Sequence, residues 1–133
     1  MERSNEKGTI KINDHIFGRL VSEAISLTAG KVFPASEKGK LLTGIGGSMP
    51  GAGELADNLI IREEADGSLF LQWYVIMSFG ASIHRATKLM LDYAEKELKS
   101  MFPNQPGRII IRIVGVKSRL IAVRDLEVER KWN

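Results

Sequence analysis

The residues of this 133-residue chain that could do chemistry are few and stand apart. Two histidines, His15 and His84, each fall at the predicted start of a helix. Neither has a further metal ligand at a usual spacing, and a metal centre needs at least three protein ligands in most cases. Ser82 precedes His84 by two positions, so at a helix start the hydroxyl and the imidazole do not face each other as nucleophile and base. Glu63, Glu64 and Asp66 form an acidic group at a predicted hairpin turn, where carboxylates are ordinarily solvated. General acid–base work needs a shielded pocket that separates pKa values, and no pattern here builds one. The run Gly44–Gly53 lacks the Gly-Lys-Ser/Thr ending of a nucleotide-binding loop, and no strand leads into it as the dinucleotide fingerprint requires. It reads as a connector, with an anion- or ligand-binding loop as the alternative. The expectation is therefore a non-enzymatic protein with no catalytic, cofactor-binding or metal residues and no small-molecule substrate.

Composition narrows the class further. With no cysteine, disulfides and thiolate metal sites are excluded. Nineteen basic and 16 acidic side chains give a net charge of +3, with both signs mixed along the chain. Such a balance permits a local basic patch without demanding one. The charged start, Met1 to Lys7, is followed by no long apolar run of the signal-peptide kind. The longest apolar stretches are strand-sized and broken by Gln72, Ser78 or Arg112, too short to cross a bilayer. A cytoplasmic protein is the simplest expectation.

The elements that must position these residues follow from periodicity. Residues 1–7 read as a disordered lead and Thr9–Ile12 as a first strand. Asn13 or Asp14 can cap a helix whose stripe is Ile16, Leu20, Ala24 and Leu27, widened by Val21 and Ile25. It ends near Ala29-Gly30. Residues 31–57 form a long Gly/Pro-rich loop, tacked to the core by Leu41, Leu42 and Leu55. A second strand spans Asn58–Glu63, Ala65-Asp66-Gly67 turns the chain, and a third strand runs from Ser68 to about Ser78. Its residues alternate, with Leu69, Leu71, Trp73, Val75, Met77 and Phe79 on the core face. Ser82 is the expected N-cap of a long helix with stripe Ile83, Ala86, Met90, Ala94, Leu98 and Met101, in which Asp92 and Lys96 are spaced to pair. Pro103 and Pro106 stop it, and a fourth strand puts Ile109, Ile111 and Ile113 inward. A charged extension, 117–133, is expected to be extended rather than helical.

The order β-α-β-β-α-β over 1–133 predicts a single α+β domain, a two-layer sandwich with both helices on one face of the sheet. Its core would include Ile10, Ile12, Leu59 and Ile61. The opposite sheet face would carry Lys11, Ile60, Arg62, Phe70, Gln72, Tyr74, Ile76, Arg108, Ile110, Arg112 and Val114. So mixed and apolar a face predicts a contact surface, covered by a second copy, a partner or the glycine-rich loop. The alternative is single-stranded RNA stacked on Phe70 and Tyr74 with the arginines as flanking cations. Against it, the Gly-aromatic-Gly/Ala-Phe run of that module is missing, and nucleic acid is the less favoured partner.

Four segments carry a family resemblance. Gly8-Thr9-Ile10-Lys11-Ile12-Asn13-Asp14, Trp73–Gly80, the helix opening at Ala81-Ser82-Ile83, and Ile109–Val116 with its terminal Val-Gly-Val resemble, in order and spacing, the bacterial alkaline-shock protein family of envelope-stress proteins. The match covers roughly three quarters of the chain. The longer 31–57 segment and the 117–133 extension depart from the family's minimal pattern. The resemblance implies a cytoplasmic scaffold in cell-envelope homeostasis, self-associating, and held at the inner membrane face by a small membrane-anchored partner.

Overall fold

A computed structural model describes the backbone of residues 2–5 and 8–11 and the chain from 14 to 133, with side chains from His15 onward. Among the described residues the strands are β1 (Glu2–Asn5), β2 (Gly8–Lys11), β3 (Val32–Ala35), β4 (Ile60–Glu63), β5 (Leu69–Ser78), β6 (Gly107–Lys117) and β7 (Ile121–Trp132). The helices are α1 (Asp14–Ser26), α2 (Ala52–Asp57) and α3 (Ile83–Met101), with a 3-10 turn at Ile45–Gly47.

Strand β5 organises the main sheet. It is the most apolar segment of the chain, and both of its faces are buried. Strand β6 runs parallel to it, Leu71 opposite Ile109 and Trp73 opposite Ile111, and β7 returns antiparallel along β6. On the other edge of β5, two short strands lie end to end. β3 pairs with its second half, Ala35 opposite Tyr74, and β4 with its first, Ile60 opposite Gln72. Parallel neighbours need a crossover, and α3 supplies it between β5 and β6.

Both long helices cover one face, as the alternation and stripes require. Phe17, Leu20, Val21, Ala24 and Ile25 of α1 and Ala86, Met90, Leu91, Ala94 and Leu98 of α3 share one core with Leu69, Leu71, Trp73, Val75, Met77, Ile109, Ile111 and Ile113. The α1 stripe is rotated from the expected one. Ile16 and Leu27 face solvent, and Phe17 takes the buried place, stacked on Phe102. An aromatic ring fills more of the gap between helix and sheet than isoleucine does. Leu59 and Ile61 border the core. The Ile10 side chain and Ile12 lie outside the described residues.

Four other expectations are corrected. The segment expected to be a disordered lead contains β1, and β2, expected as the first strand of the main sheet, pairs with β1 alone in a separate two-stranded sheet. Residues 31–57 are no structureless loop: they hold β3 and α2, and Leu42, Pro50 and Leu55 are buried. Pro34 hid β3 in the sequence, yet on an edge strand a missing N–H costs no ladder bond. Asp92 pairs not with Lys96 but with Lys88, at 2.7 Å one turn earlier, and with Arg130 of β7 at 3.1 Å. The extension beyond Val116, by contrast, is extended as expected: it forms β7, with Leu126, Val128 and Trp132 packed against the core.

Several expected local signals appear as read. Ser82 caps α3, its hydroxyl accepting from the Arg85 N–H at 3.2 Å. Ala29 and Gly30 end α1 with φ of 53° and 82°. At the β4–β5 turn Gly67 has φ 86°, and the Asp66 carboxylate accepts from the Ser68 N–H and hydroxyl.

Candidate functional site

The sheet face away from the helices is less open than the alternation predicts. Phe70 and Tyr74 are only 3% and 8% exposed, and Ile76 and Ile110 are also buried. Tyr74 and Ile76 form a second small core with Ala35, closed over by Phe33, Leu41 and Val114. A single bridge, Ala35 to Leu41, folds the chain after β3 back onto this face. Phe70 lies under two guanidinium groups, with Arg62 at 4.2 Å and Arg108 at 5.3 Å from its ring centre.

The cations of this face are occupied too. Arg112 donates to Asp125 at 2.7 Å and to Glu127 at 3.3 Å. Arg108 is bonded to Glu129 and lies 4.0 Å from Glu64. The Glu129 carboxylate at its side holds Arg108 even more firmly protonated than usual. Arg62 reaches Glu64 at 3.5 Å. The antiparallel register explains the pattern, because it sets Arg112 opposite Glu127 and places Glu129 beside Arg108. These acids belong to β7, the part of the chain whose structure was least legible in the sequence. Ile60 and Val114 are half-buried, and the side chain of Lys11 lies outside the described residues. The predicted face is thus brought together, but its aromatic rings are covered and its arginines paired.

The other candidate residues stay apart. His15 and His84 are both exposed, at the starts of α1 and α3. Among the described residues no three His, Asp or Glu side chains converge to hold a metal ion. In the glycine run, the N–H groups of Gly44, Gly47 and Ser48 donate to carbonyls within the loop itself. Those amides are turned to the loop's own closure rather than outward. A cleft of about 470 Å³ lies between the acidic turn and the end of β7, lined by Glu64, Asp66, Ser68, Arg108, Lys131 and Trp132.

A different surface stands out at the end of the sheet where β5 and β6 finish. Phe79 is 75% exposed, Leu120 82% and Val123 93%, with Ile121 beside them. The Phe79 N–H donates to the Lys117 carbonyl at 2.8 Å, and Ser118 to Leu120 closes the β6–β7 turn, so these side chains share one rim. Lys31 joins it through the bond from the Ser78 N–H to its carbonyl. Lys31 and Arg85 line a groove of about 290 Å³ there, with Gly80, Ser82 and Leu89. Sequence reading missed this surface because it placed Phe79 in the core and left the hairpin tip undefined. The signal was present in Leu120-Ile121-Ala122-Val123, four apolar residues with no alternation to hide them. Among the described residues no helix is long and apolar enough to cross a membrane.

Comparison with protein-family models, with curated proteins and with solved structures found no match to this chain.

Proposed function

We propose that this chain is a non-enzymatic interaction domain, a scaffold of the alkaline-shock type in cell-envelope homeostasis that works at the inner face of the cell membrane. The observation that carries the reading is the exposed rim of Phe79, Leu120, Ile121 and Val123. Large apolar side chains gathered in water mark a place where something docks. The sequence resemblance supplies the setting, including self-association and a small membrane-anchored partner. The RNA reading is weakened by the buried Phe70 and Tyr74, which have no ring face to offer a base, and by the carboxylates already on Arg108 and Arg112.

A photo-crosslinker placed at Leu120 in the native cell tests the proposal. Adducts to a membrane-associated component or to a second copy, absent when the crosslinker replaces the exposed Lys96 of α3, are expected. Uncrosslinked monomer throughout would refute the scaffold reading. Binding of short single-stranded RNA, measured at low and high salt, is expected to be negligible.

A further inference from the structure

The rim is cationic as well as apolar. Three segments meet there, residues 24–36, 76–91 and 113–124, and none contains an aspartate or glutamate. They contribute Lys31, Arg85, Lys88, Lys117, Arg119 and Arg124. Lys88 is held by Asp92, and Lys117 lies 5.3 Å from the Phe33 ring centre. Lys31, Arg85, Arg119 and Arg124 are exposed and make no ion pair among the described residues. Of the carboxylates that flank these segments, Glu23 is bonded to Tyr93, Asp92 to Lys88 and Asp125 to Arg112, while Glu37 follows the far end of β3, where Ala35 lies opposite Tyr74. The opposite end of β5 carries both signs, with Glu63, Glu64 and Asp66 at its turn beside Arg62, Arg108 and Lys131.

We propose that this end docks directly on an anionic phospholipid bilayer, with Phe79, Leu120 and Val123 entering the interface and Lys31, Arg85, Arg119 and Arg124 at the level of the head groups. The inference rests on reading this rim as a contact surface and names what it contacts. Charge complementarity selects an anionic occupant, and the projecting apolar tip selects one with a hydrocarbon interior. A second copy fits less well, because the acidic turn that would answer the cations carries none of the large exposed apolar side chains. A nucleic acid answers the cations but not Leu120 and Val123.

Co-sedimentation of the full chain with vesicles decides it. The protein is expected to pellet with vesicles of phosphatidylcholine and phosphatidylglycerol in equal parts, to stay in solution with phosphatidylcholine alone, and to be released by salt. Loss of two cations in R119Q/R124Q should lower partitioning roughly twenty- to thirtyfold, at about fivefold per basic residue near the surface. The pair L120S/V123S should lower it at least as much. Both variants change exposed side chains, and unchanged melting curves would confirm that they fold. Phe79→Trp should add an emission that shifts to the blue on binding. No pelleting with anionic vesicles at low salt would overturn the inference, as would pelleting unaffected by either double variant. So would pelleting lost in R119Q/R124Q but kept in L120S/V123S, since that is adsorption without insertion. If the crosslinker at Leu120 captures a protein while vesicles stay unbound, the lipid inference falls and the scaffold reading stands. If vesicles bind and no protein is captured, the reverse holds.

Discussion

Tyr93 shows how a single residue ties two helices together. Its hydroxyl, on α3, donates to the Glu23 carboxylate of α1, and its pKa is pushed from 10.0 up to about 12, first by that bond and then by burial. A raised folded-state value means the protonated phenol is the form that stabilises the fold. The contribution is therefore complete below pH 10.0 and disappears as pH rises towards about 12. Tyr93→Phe should lower the melting temperature at neutral pH and abolish this alkaline step, followed by ultraviolet titration of the phenolate. Asp92 and Glu95 behave in the opposite sense. Lys88 and Lys99 are the main causes that hold their carboxyls below the ordinary 3.8 and 4.5, with Arg130 adding to both. Their help is present above those ordinary values and is lost as pH falls below them, through the lowered folded-state values, so acid should weaken both the pairs within α3 and the Arg130 link to β7. Close backbone approaches set a steric limit elsewhere. A Cβ at Gly107 would lie 2.1 Å from Trp132 Cζ2, and one at Gly18 would lie 2.0 Å from the Ala52 carbonyl oxygen. Overpacking of this kind typically costs about 1–3 kcal/mol, so Gly18→Ala and Gly107→Ala should each lower the midpoint of chemical denaturation accordingly.

The elements differ in how much of them could be read from residue order. Strands β5 and β6 and helix α3 were legible because alternation and a helical stripe run through them uninterrupted. The end-to-end cover of β5 by β3 and β4 was not, since four-residue strands carry too little pattern. The same holds for the candidate surface: its arginines and aromatics do share one sheet face, but the carboxylates of β7 that pair with Arg108 and Arg112 were not foreseen, because register is a tertiary fact. Two expected outcomes follow at this scale. Ending the chain after Val116 should cost roughly 3–5 kcal/mol, because Leu126, Val128 and Trp132 leave the core border and the β6 edge opens. Thermal melting of the truncated chain measures it. Deleting Gly44–Gly53 should also destabilise, although lengthening a free loop costs little. The deletion removes the buried Pro50 and the first two residues of α2, of which Ala52 packs against Gly18. An unchanged melting curve would show that α2 contributes nothing to the core.

At the scale of the whole molecule, replacement of Tyr74 or Ile110 by aspartate should unfold the chain rather than separate subunits, because both are buried within a single copy. Light scattering alongside circular dichroism distinguishes the two outcomes. Edges of the sheet are guarded: Pro34 lies on one, and the other strand, β7, exposes Asp125, Glu127, Glu129 and Lys131. The rim at the end of β5 and β6 is one place where large apolar side chains meet water, and Ile45 of the glycine run, 98% exposed, is another. The position of β5 in the chain has a consequence for biosynthesis. About fifty residues separate the end of α1 at Ser26 from the end of β5 at Ser78, and of the elements β5, α3 and β6 that share a core with the α1 stripe, β5 is the first to be made. During translation the growing polypeptide therefore carries Phe17, Leu20 and Val21 without their cover for roughly 3–10 s, at typical elongation speeds of about 5–20 residues per second. A slightly shorter interval passes for β3, whose partner is also β5. The nascent first half is thus an obligate client of its own second half, and a pause in translation before Leu69 would prolong the time in which it is open to aggregation or to capture by a chaperone.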